Sequence, residues 1–386
     1  MIHHFSFSET GGAGSVASIL NSELRLLGVQ SILHSTTNSN LRDDWSSHPN
    51  IALRAVLDRH LLSAPSFTNM TSLLREVSGR STVSKELSPE RDLLHLHWPW
   101  GVLRSHVIES YLDQGFKVIF TLHDMRALTG FCHFTGGCQG FKSDCSNCPA
   151  ARTFAQKSVV KSKGQSDRIL SHDNLFIASP SPNFTREASS MRVLQGKKVR
   201  EIVNPVREVF FDSRKPAFRD KKRFAFVAAN LADPRKGLER ALAFFLSVRE
   251  PGDSLSLVGH GHRGESFPEG VHLLGPKGPE ELSDLFNSVH FLLFFSSDDN
   301  APLVLAEAAV RGVSIVVGRD SSGWEFVDEY VQVIHEEDFL NLRSSTDALE
   351  VSSKEKSIER FKPAEVAKSY LSLYREVLPN AFPKAE

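Results

Sequence analysis

Two acids, Asp299 and Glu307, fall eight positions apart in the run Asp298-Asp-Asn-Ala-Pro-Leu-Val-Leu-Ala-Glu307-Ala. The apolar run Phe291-Leu-Leu-Phe-Phe295 comes just before, so the stretch reads as a strand, a polar turn and a helix. In an open α/β sheet, ligands bind at the carboxyl ends of strands. The free amides and the dipole of a helix's first turn favour an anion there. An acid one turn into the helix can reach a hydroxyl of the same ligand. A phosphate on the amides and hydroxyls on two carboxylates describe a sugar nucleotide.

Other candidates share that placement. Asp233-Pro-Arg-Lys-Gly237 follows the apolar run Phe224–Ala229 and opens a helical pattern. Lys236 therefore sits at a strand's carboxyl end, where a cation can neutralise a departing diphosphate; the plainer reading is a solvated charge in a turn. His123-Asp124 ends the run Val118–Leu122, and His95 and His97 end the preceding run in Leu94-His-Leu-His-Trp98. Placement singles out His123 as a hydrogen-bonding partner for a sugar hydroxyl or phosphate, and the remaining histidines read as structural. The first strand, Ile2–Ser6, enters Thr10-Gly-Gly-Ala-Gly14, which lets backbone approach a ligand at a helix N-terminus. It is neither G-x-G-x-x-G nor a Walker A loop, and a plain strand–helix turn explains it equally. Leu257-Val-Gly-His-Gly261 and Leu274-Gly-Pro-Lys-Gly278 are weaker glycine turns of the same kind.

All four cysteines, Cys132, Cys138, Cys145 and Cys148, lie in one segment. Three readings are open: a structural zinc held by four thiolates, with Cys145-Ser-Asn-Cys148 spaced as a metal knuckle; two disulfides; or reduced thiols packing a long loop. The loop leaves the chain just after His123, where it would shape an acceptor site.

The elements that must position these residues alternate. Strands are expected at Leu93–Leu96, Val118–Leu122, Leu175–Ala178, Phe224–Ala228, Leu255–Val258, Phe291–Phe295 and Ser314–Val317. Helices are expected at Ser15–Leu27, Arg104–Asp113, Asn183–Leu194, Leu238–Arg249, Pro279–Asn287, Leu303–Arg311 and Ala364–Val377. Strand–helix alternation predicts parallel sheets covered by helices, and 386 residues suffice for two such domains. A linker is expected near Val199–Phe211, where Asn204-Pro205 marks a turn. The predicted domains are 1–203, carrying the cysteine loop 131–149, and 204–363, with a last helix in 364–386 that packs back on the first. Segments 35–50 and 343–357 read as exposed loops. The chain is 40% hydrophobic and 24% charged with a net charge of −1. That excludes global disorder and gives no reason to expect a nucleic acid partner. Neither an export signal nor a spanning run is visible, so a cytoplasmic protein is expected, with peripheral contact at the inner membrane face left open.

In this order the motifs resemble those of GT-B glycosyltransferases, specifically the large retaining group called family 4, from about Thr10 to Gly312. Gly11-Gly-Ala-Gly14 is similar to the glycine loop, Asp233–Gly237 to the basic phosphate motif, and Asp299-x7-Glu307 to the E-x7-E motif. His97-Trp98, His123-Asp124 and the cysteine loop ending at Cys148-Pro149 resemble a subgroup that builds surface polysaccharides. The resemblance implies two Rossmann-like, doubly wound domains facing a central cleft. It also implies sugar transfer from a nucleoside diphosphate to a glycan or lipid-linked acceptor, with no catalytic metal. Its implied roles are ribose binding for Glu307, sugar contact for Asp299, leaving-group stabilisation for Lys236, and donor contact for Gly12 and His123. Amides from Asn300 through Leu303 and Val304 would hold sugar or phosphates, with Gly11, Asn230 and Arg235 bordering the site. The chain departs in three places: Asp299 is one methylene shorter than the usual Glu, Asn230 replaces a frequent Arg, and Ser314 replaces a frequent Pro. The first two keep a reduced-activity or specialised enzyme open, and the alternatives are a sugar-nucleotide epimerase on the same fold or, given Asn230, a catalytically weak scaffold or partner subunit.

Overall fold

A computed structural model describes residues 1–36, 87–211, 221–261, 266–341 and 357–382. Most of segments 35–50 and 343–357, expected to be exposed loops, lies outside these residues. The chain divides into two compact units, one formed by Met1–Val203 with Ala364–Glu386 and the other by Asn204–Pro363. Among the described residues, no helix is long and apolar enough to cross a membrane.

The first unit carries strands β1 (Ile2–Ser6), β2 (Ser31–His34), β3 (Leu93–Trp98), β4 (Lys117–Thr121), β5 (Leu175–Ser179) and β6 (Val199–Glu201) in the order β2-β1-β3-β4-β5-β6. The second carries β7 (Arg223–Asn230), β8 (Ser254–His260), β9 (Val271–Gly275), β10 (Phe291–Phe294), β11 (Ser314–Val317) and β12 (Val333–His335) in the order β12-β11-β10-β7-β8-β9. Every pairing is parallel. These are two doubly wound, Rossmann-like sheets, as the alternation of elements predicts.

Some elements were not expected. The helix Gln156–Ser171 buries Val159, Ser162, Lys163, Ser166, Ile169 and Leu170. That is a helical period, but half its positions are Ser or Lys, so no apolar stripe marks it. Strands β2, β6 and β12 are only three or four residues long, and β9 alternates between buried and exposed positions. The expected linker region opens with strand β6, which pairs with β5. Ser314 has a structural reason to be something other than Pro. Its backbone N–H donates to His290 O (3.1 Å) at the start of β11, a bond Pro would lack.

The second unit has a phenylalanine core. Phe224 stacks on Phe291 with centroids 5.2 Å apart, and Phe245 and Phe339 approach Phe224 edge-on and tilted. In the first unit the two faces of the sheet differ. Leu94 and Leu96 enter an apolar core with Val118, Phe120 and Trp100. The alternate residues His95 and His97 must face the other way, because side chains alternate along a strand. There His95 lies between Tyr374 Oη (2.7 Å) and Thr121 Oγ1 (2.8 Å), and Thr121 Oγ1 meets Tyr370 Oη (2.9 Å). Both tyrosines belong to the helix Pro363–Val377, so the C-terminal helix closes this polar face of the first sheet. Burial holds both phenols above their ordinary range. We predict that Tyr374→Phe, which removes only the hydroxyl facing His95, lowers stability by about 1–3 kcal/mol. Urea unfolding followed by far-UV dichroism measures it, and an unchanged midpoint would contradict the stated role.

Candidate active site

The donor-side candidates collect at the carboxyl ends of the neighbouring strands β7 and β10. After β7, Asn230 Oδ1 accepts from Ala232 N at 3.0 Å and turns the chain. Asp233 then caps a single 3-10 turn, Pro234–Lys236, by accepting from Arg235 N at 3.0 Å. Gly237 has φ +74°, and a Cβ there would lie 2.5 Å from Phe295 O. This glycine lets the turn after β7 rest on the end of β10. The helix Leu238–Val248 follows it.

The turn after β10 is fastened to that same segment. Ser297 N donates to Arg235 O at 3.0 Å, and Arg235 Nη1 donates to Asp298 O at 2.6 Å. Arg235 also pairs with Asp233 Oδ2 at 3.0 Å and approaches Asp299 Oδ1 at 3.6 Å. Lys236 Nζ meets Asp299 Oδ2 at 2.6 Å. Lys236 and Asp299, expected to serve diphosphate and sugar separately, are thus direct partners. Arg235 braces the turn, and the Asn230 carbonyl is used in a turn of its own. Beyond Asp299, the helix Leu303–Arg311 starts from Pro302 with no side-chain cap. The amides of Leu303 and Val304 are among the N-terminal donors that an α-helix cannot satisfy internally.

Glu307 is half-buried in this helix. Burial pushes its carboxyl up to about 7, with Arg207 pulling the other way. Asn204, from the expected linker motif, donates Nδ2 to Ala301 O at 3.3 Å, while its buried Oδ1 has no partner. Sequence reasoning used Asn204 only as a turn signal and did not single out Arg207. Neither has a local pattern that would place it beside this turn.

In the first unit, the glycine loop splits into two roles. A Cβ on Gly14 would fall 2.4 Å from Ser8 O, whereas one on Gly11 or Gly12 would meet nothing within 4 Å. Gly14 is needed for packing, and Gly11 and Gly12 border open space at the start of the helix Gly11–Leu26.

His123, just beyond β4, places Nε2 3.0 Å from His97 Nδ1, and His97 Nε2 lies 3.0 Å from His4 Nδ1. His97 and His4, which sequence reasoning set aside as structural, are therefore linked to the candidate residue. The histidines at alternate positions of β3 were the available signal. Burial holds His97 well below the usual imidazole range and brings His4 to about 3. His123 falls to about 4 through burial, against the pull of Asp124. Each is neutral near pH 7. His4, His95 and His97 each offer a nitrogen within 4.8 Å of the others. Both nitrogens of His95 and of His97 are already hydrogen-bonded, so the trio acts as a polar network rather than a vacant ligand set.

Asp124 fixes the root of the cysteine loop. It accepts from Trp98 Nε1 (3.0 Å) and Arg126 N (2.8 Å) and pairs with His133 Nδ1 (2.9 Å). Burial would raise its carboxyl, but His133 and these donors hold it below its ordinary value. In the loop, the Cys132 and Cys148 thiols are hydrogen-bonded. Cys148 falls to about 6, mainly through Cys132 and with help from the amides of Ala150 and Ala151, although burial opposes the shift. Cys132 is raised by the same bond, and burial pushes Cys145 up to about 12. Cys145 adopts φ +59°, uncommon for a residue with a side chain. Among the described residues, no three of the four sulfurs lie within 4.8 Å of one another, and the set that does is the histidine trio.

No protein-family model matches the chain. Over 322 residues it is 26% identical to the putative colanic acid biosynthesis glycosyl transferase WcaC of Escherichia coli (strain K12), covering 76% of this chain and 73% of that protein. Among solved structures it is similar to sucrose-phosphate synthase from Thermosynechococcus elongatus, with a TM-score of 0.63, 16% identity and coverage of 98% and 99% of the two chains. It is also similar to Anabaena Alr3699/HepE solved with UDP-glucose, with a TM-score of 0.56, 13% identity and coverage of 97% and 99%. The fold is that of the GT-B glycosyltransferases.

Glu307 generates a prediction about pH. Its folded pKa, about 7, lies above the roughly 4.3 of an unfolded glutamate. The folded state therefore binds the proton more tightly, and stability falls as pH rises from about 4.3 through about 7. Glu307→Gln removes that loss. Relative to the parent chain, the variant should gain up to about 3 kcal/mol between roughly pH 5 and pH 8. Denaturant midpoints at the two pH values read the difference, and parallel pH profiles would refute it.

Proposed function

We propose that this chain is a retaining glycosyltransferase that moves a sugar from a nucleoside diphosphate to a hydroxyl of a glycan or lipid-linked acceptor in polysaccharide or glycoconjugate synthesis. The observation that carries the reading is the site at the ends of β7 and β10: Lys236 on Asp299 at 2.6 Å, beside a helix N-terminus without a side-chain cap and a half-buried Glu307. A cation, open amides and a carboxyl in one place match a diphosphate joined to a ribose. WcaC, to which the chain is similar, is named as a colanic acid glycosyl transferase, and Alr3699/HepE was solved with UDP-glucose. The first supports glycosyl transfer and the second a sugar-nucleotide donor.

In this mechanism Glu307 accepts hydrogen bonds from the ribose hydroxyls. The amides of Leu303 and Val304, with Asn300, hold phosphate or sugar oxygens. Lys236 exchanges Asp299 for the diphosphate, and Asp299 is then available to the sugar. Arg235 and Asn230 keep the two turns in register, Gly11 and Gly12 admit the diphosphate to the backbone, and His123 hydrogen-bonds the sugar near the reacting carbon. The bond from the anomeric carbon to the diphosphate oxygen breaks as the acceptor oxygen bonds that carbon on the same face. The acceptor's proton passes to the departing phosphate oxygen, whose charge Lys236 stabilises. These roles call for no divalent metal.

We also propose a structural zinc in the cysteine loop, on the clustering of four cysteines with Cys145-Ser-Asn-Cys148 spaced as a metal knuckle; the sulfurs would have to draw together to hold it, since no three of them lie within 4.8 Å of one another. Its role would be to pin the segment that Asp124 anchors through His133.

Lys236→Ala and Glu307→Ala should each lower turnover by roughly 10²–10³-fold while thermal unfolding stays cooperative; full turnover in the Lys236 variant refutes its role. Donor and acceptor screening should precede this, with UDP, GDP and ADP compared by thermal shift. NMR of the first product then reports the anomeric configuration, and inversion would refute the retaining mechanism. Incubation with donor alone should yield hydrolysis or no change, whereas an epimerised donor would refute transfer. For the loop, protein purified without chelators should carry about one equivalent of zinc. Less than about half an equivalent refutes the site.

A further inference from the structure

Strand β10 lies between β7 and β11, so the turn that carries Asp299 has a neighbour on each side. The turn after β7 holds it through Arg235, Lys236 and Gly237. The turn after β11, residues 318–324, holds it from the other side. Gly318 N and Ser321 Oγ both donate to Phe294 O, each at 3.0 Å. Ser322 N donates to Ser296 O at 3.0 Å. The Ser322 hydroxyl then bridges the next residues: it donates to Ser297 O at 3.1 Å and accepts from Asp299 N at 3.4 Å. One hydroxyl thus uses its donor and an acceptor lone pair on the same turn.

Gly323 completes the contact. It is buried and has φ +82°. A Cβ there would overlap the Asp299 carbonyl and stand 3.2 Å from Asn300 N. Only a residue without a side chain lets the two backbones approach this closely at that φ. The peptide joining Asp299 to Asn300 therefore rests against Gly323, while Ser322 holds the amide just before it.

We propose that Ser322 and Gly323 are positioning residues that fix the Asp299–Asn300 peptide, so that the Asp299 carboxylate can change partners while its backbone stays in place. This rests on the proposed function, in which Lys236 leaves Asp299 for the diphosphate. When that ion pair opens, the β7 side loses its shortest hold on the Asp299 side chain. The contacts from the β11 side are made by a hydroxyl and by backbone, so an incoming anion does not compete for them as it does for Lys236. A carboxylate on a fixed backbone stays aimed at the sugar, and a misplacement of about 1 Å at a reacting centre can cost on the order of 10²-fold in rate.

Hydrogen exchange of the full chain without ligand, followed by mass spectrometry of peptides covering 296–305, tests the hold directly. Ser322→Ala removes the bridge and should speed exchange in that segment by roughly 3- to 10-fold, with peptides from the first unit unchanged. Ser322→Thr keeps the hydroxyl and should keep the protection. Gly323→Ala should give a larger increase in the same segment, and the Ser322 pair decides the matter by itself if the glycine variant does not fold. Unchanged exchange in Ser322→Ala overturns the proposal, and so does an increase spread evenly over both units. These measurements need no substrate, so they stand or fall apart from the functional reading. Where turnover is measurable, Ser322→Ala should lower kcat on the order of 10-fold with a smaller change in KM, and Ser322→Thr should recover most of it. Local loss of protection with unaltered kcat would support the hold and count instead against the part assigned to Asp299 in transfer.

Discussion

A parallel strand cannot return to its neighbour through a tight turn; the chain has to cross over the sheet first. Every strand pairing in both sheets is parallel. The turns that leave the carboxyl ends therefore collect along one edge of each sheet, and strand order decides which of them become neighbours. Because β7 lies beside β10, Lys236 and Asp299 touch across 63 positions of sequence. Because β1, β3 and β4 lie side by side, His4, His97 and His123 form a row.

That arrangement gives the charges of the second unit a clear division. Asp299 is a short acid, and its reach is used on Lys236. Arg235 joins the turn after β7 to the turn after β10 through Asp298 O and Asp233. Lys236 remains as the cation beside the helix N-terminus, held by the Asp299 carboxylate that, in the proposed function, an incoming diphosphate replaces. Burial pushes the Glu307 carboxyl up to about 7, and in the proposed function hydrogen bonds from ribose hydroxyls would favour its ionised form.

The first unit solves another problem. One face of its sheet carries imidazoles and a threonine beside the buried aliphatics Ile2, Leu93 and Ile119. Buried polar groups must be paired or they destabilise the fold, and the tyrosines of the C-terminal helix pair His95 and Thr121. The helix that ends the chain is thus tied chemically to the strands that begin it. The same polar layer runs from the C-terminal helix to His97 and on to His123, so support for the candidate site and closure of the sheet share residues.

Much of this was legible in the residues. Apolar runs alternating with helical periods marked most strands and helices, and the helix Leu303–Arg311 was found to the residue. The turns bearing Gly12, His123, Lys236 and Asp299 were recognisable because strand ends carry their own local signals. The helix Gln156–Ser171 escaped because it buries Ser and Lys where a pattern search looks for aliphatics. Short edge strands escaped because they are only partly buried and lack the continuous apolar run that marks the equally short β10 and β11. Sequence by itself determined the element types and which residues stand at strand ends, since both follow from local periodicity and turn chemistry. Tertiary structure alone decided the partners: Asp299 with Lys236, His123 with His97 and His4, Asn204 with the turn before Leu303, and Tyr374 with His95. The reason is strand order, which brings together groups far apart in the chain and is not recorded in the spacing of residues along any one segment.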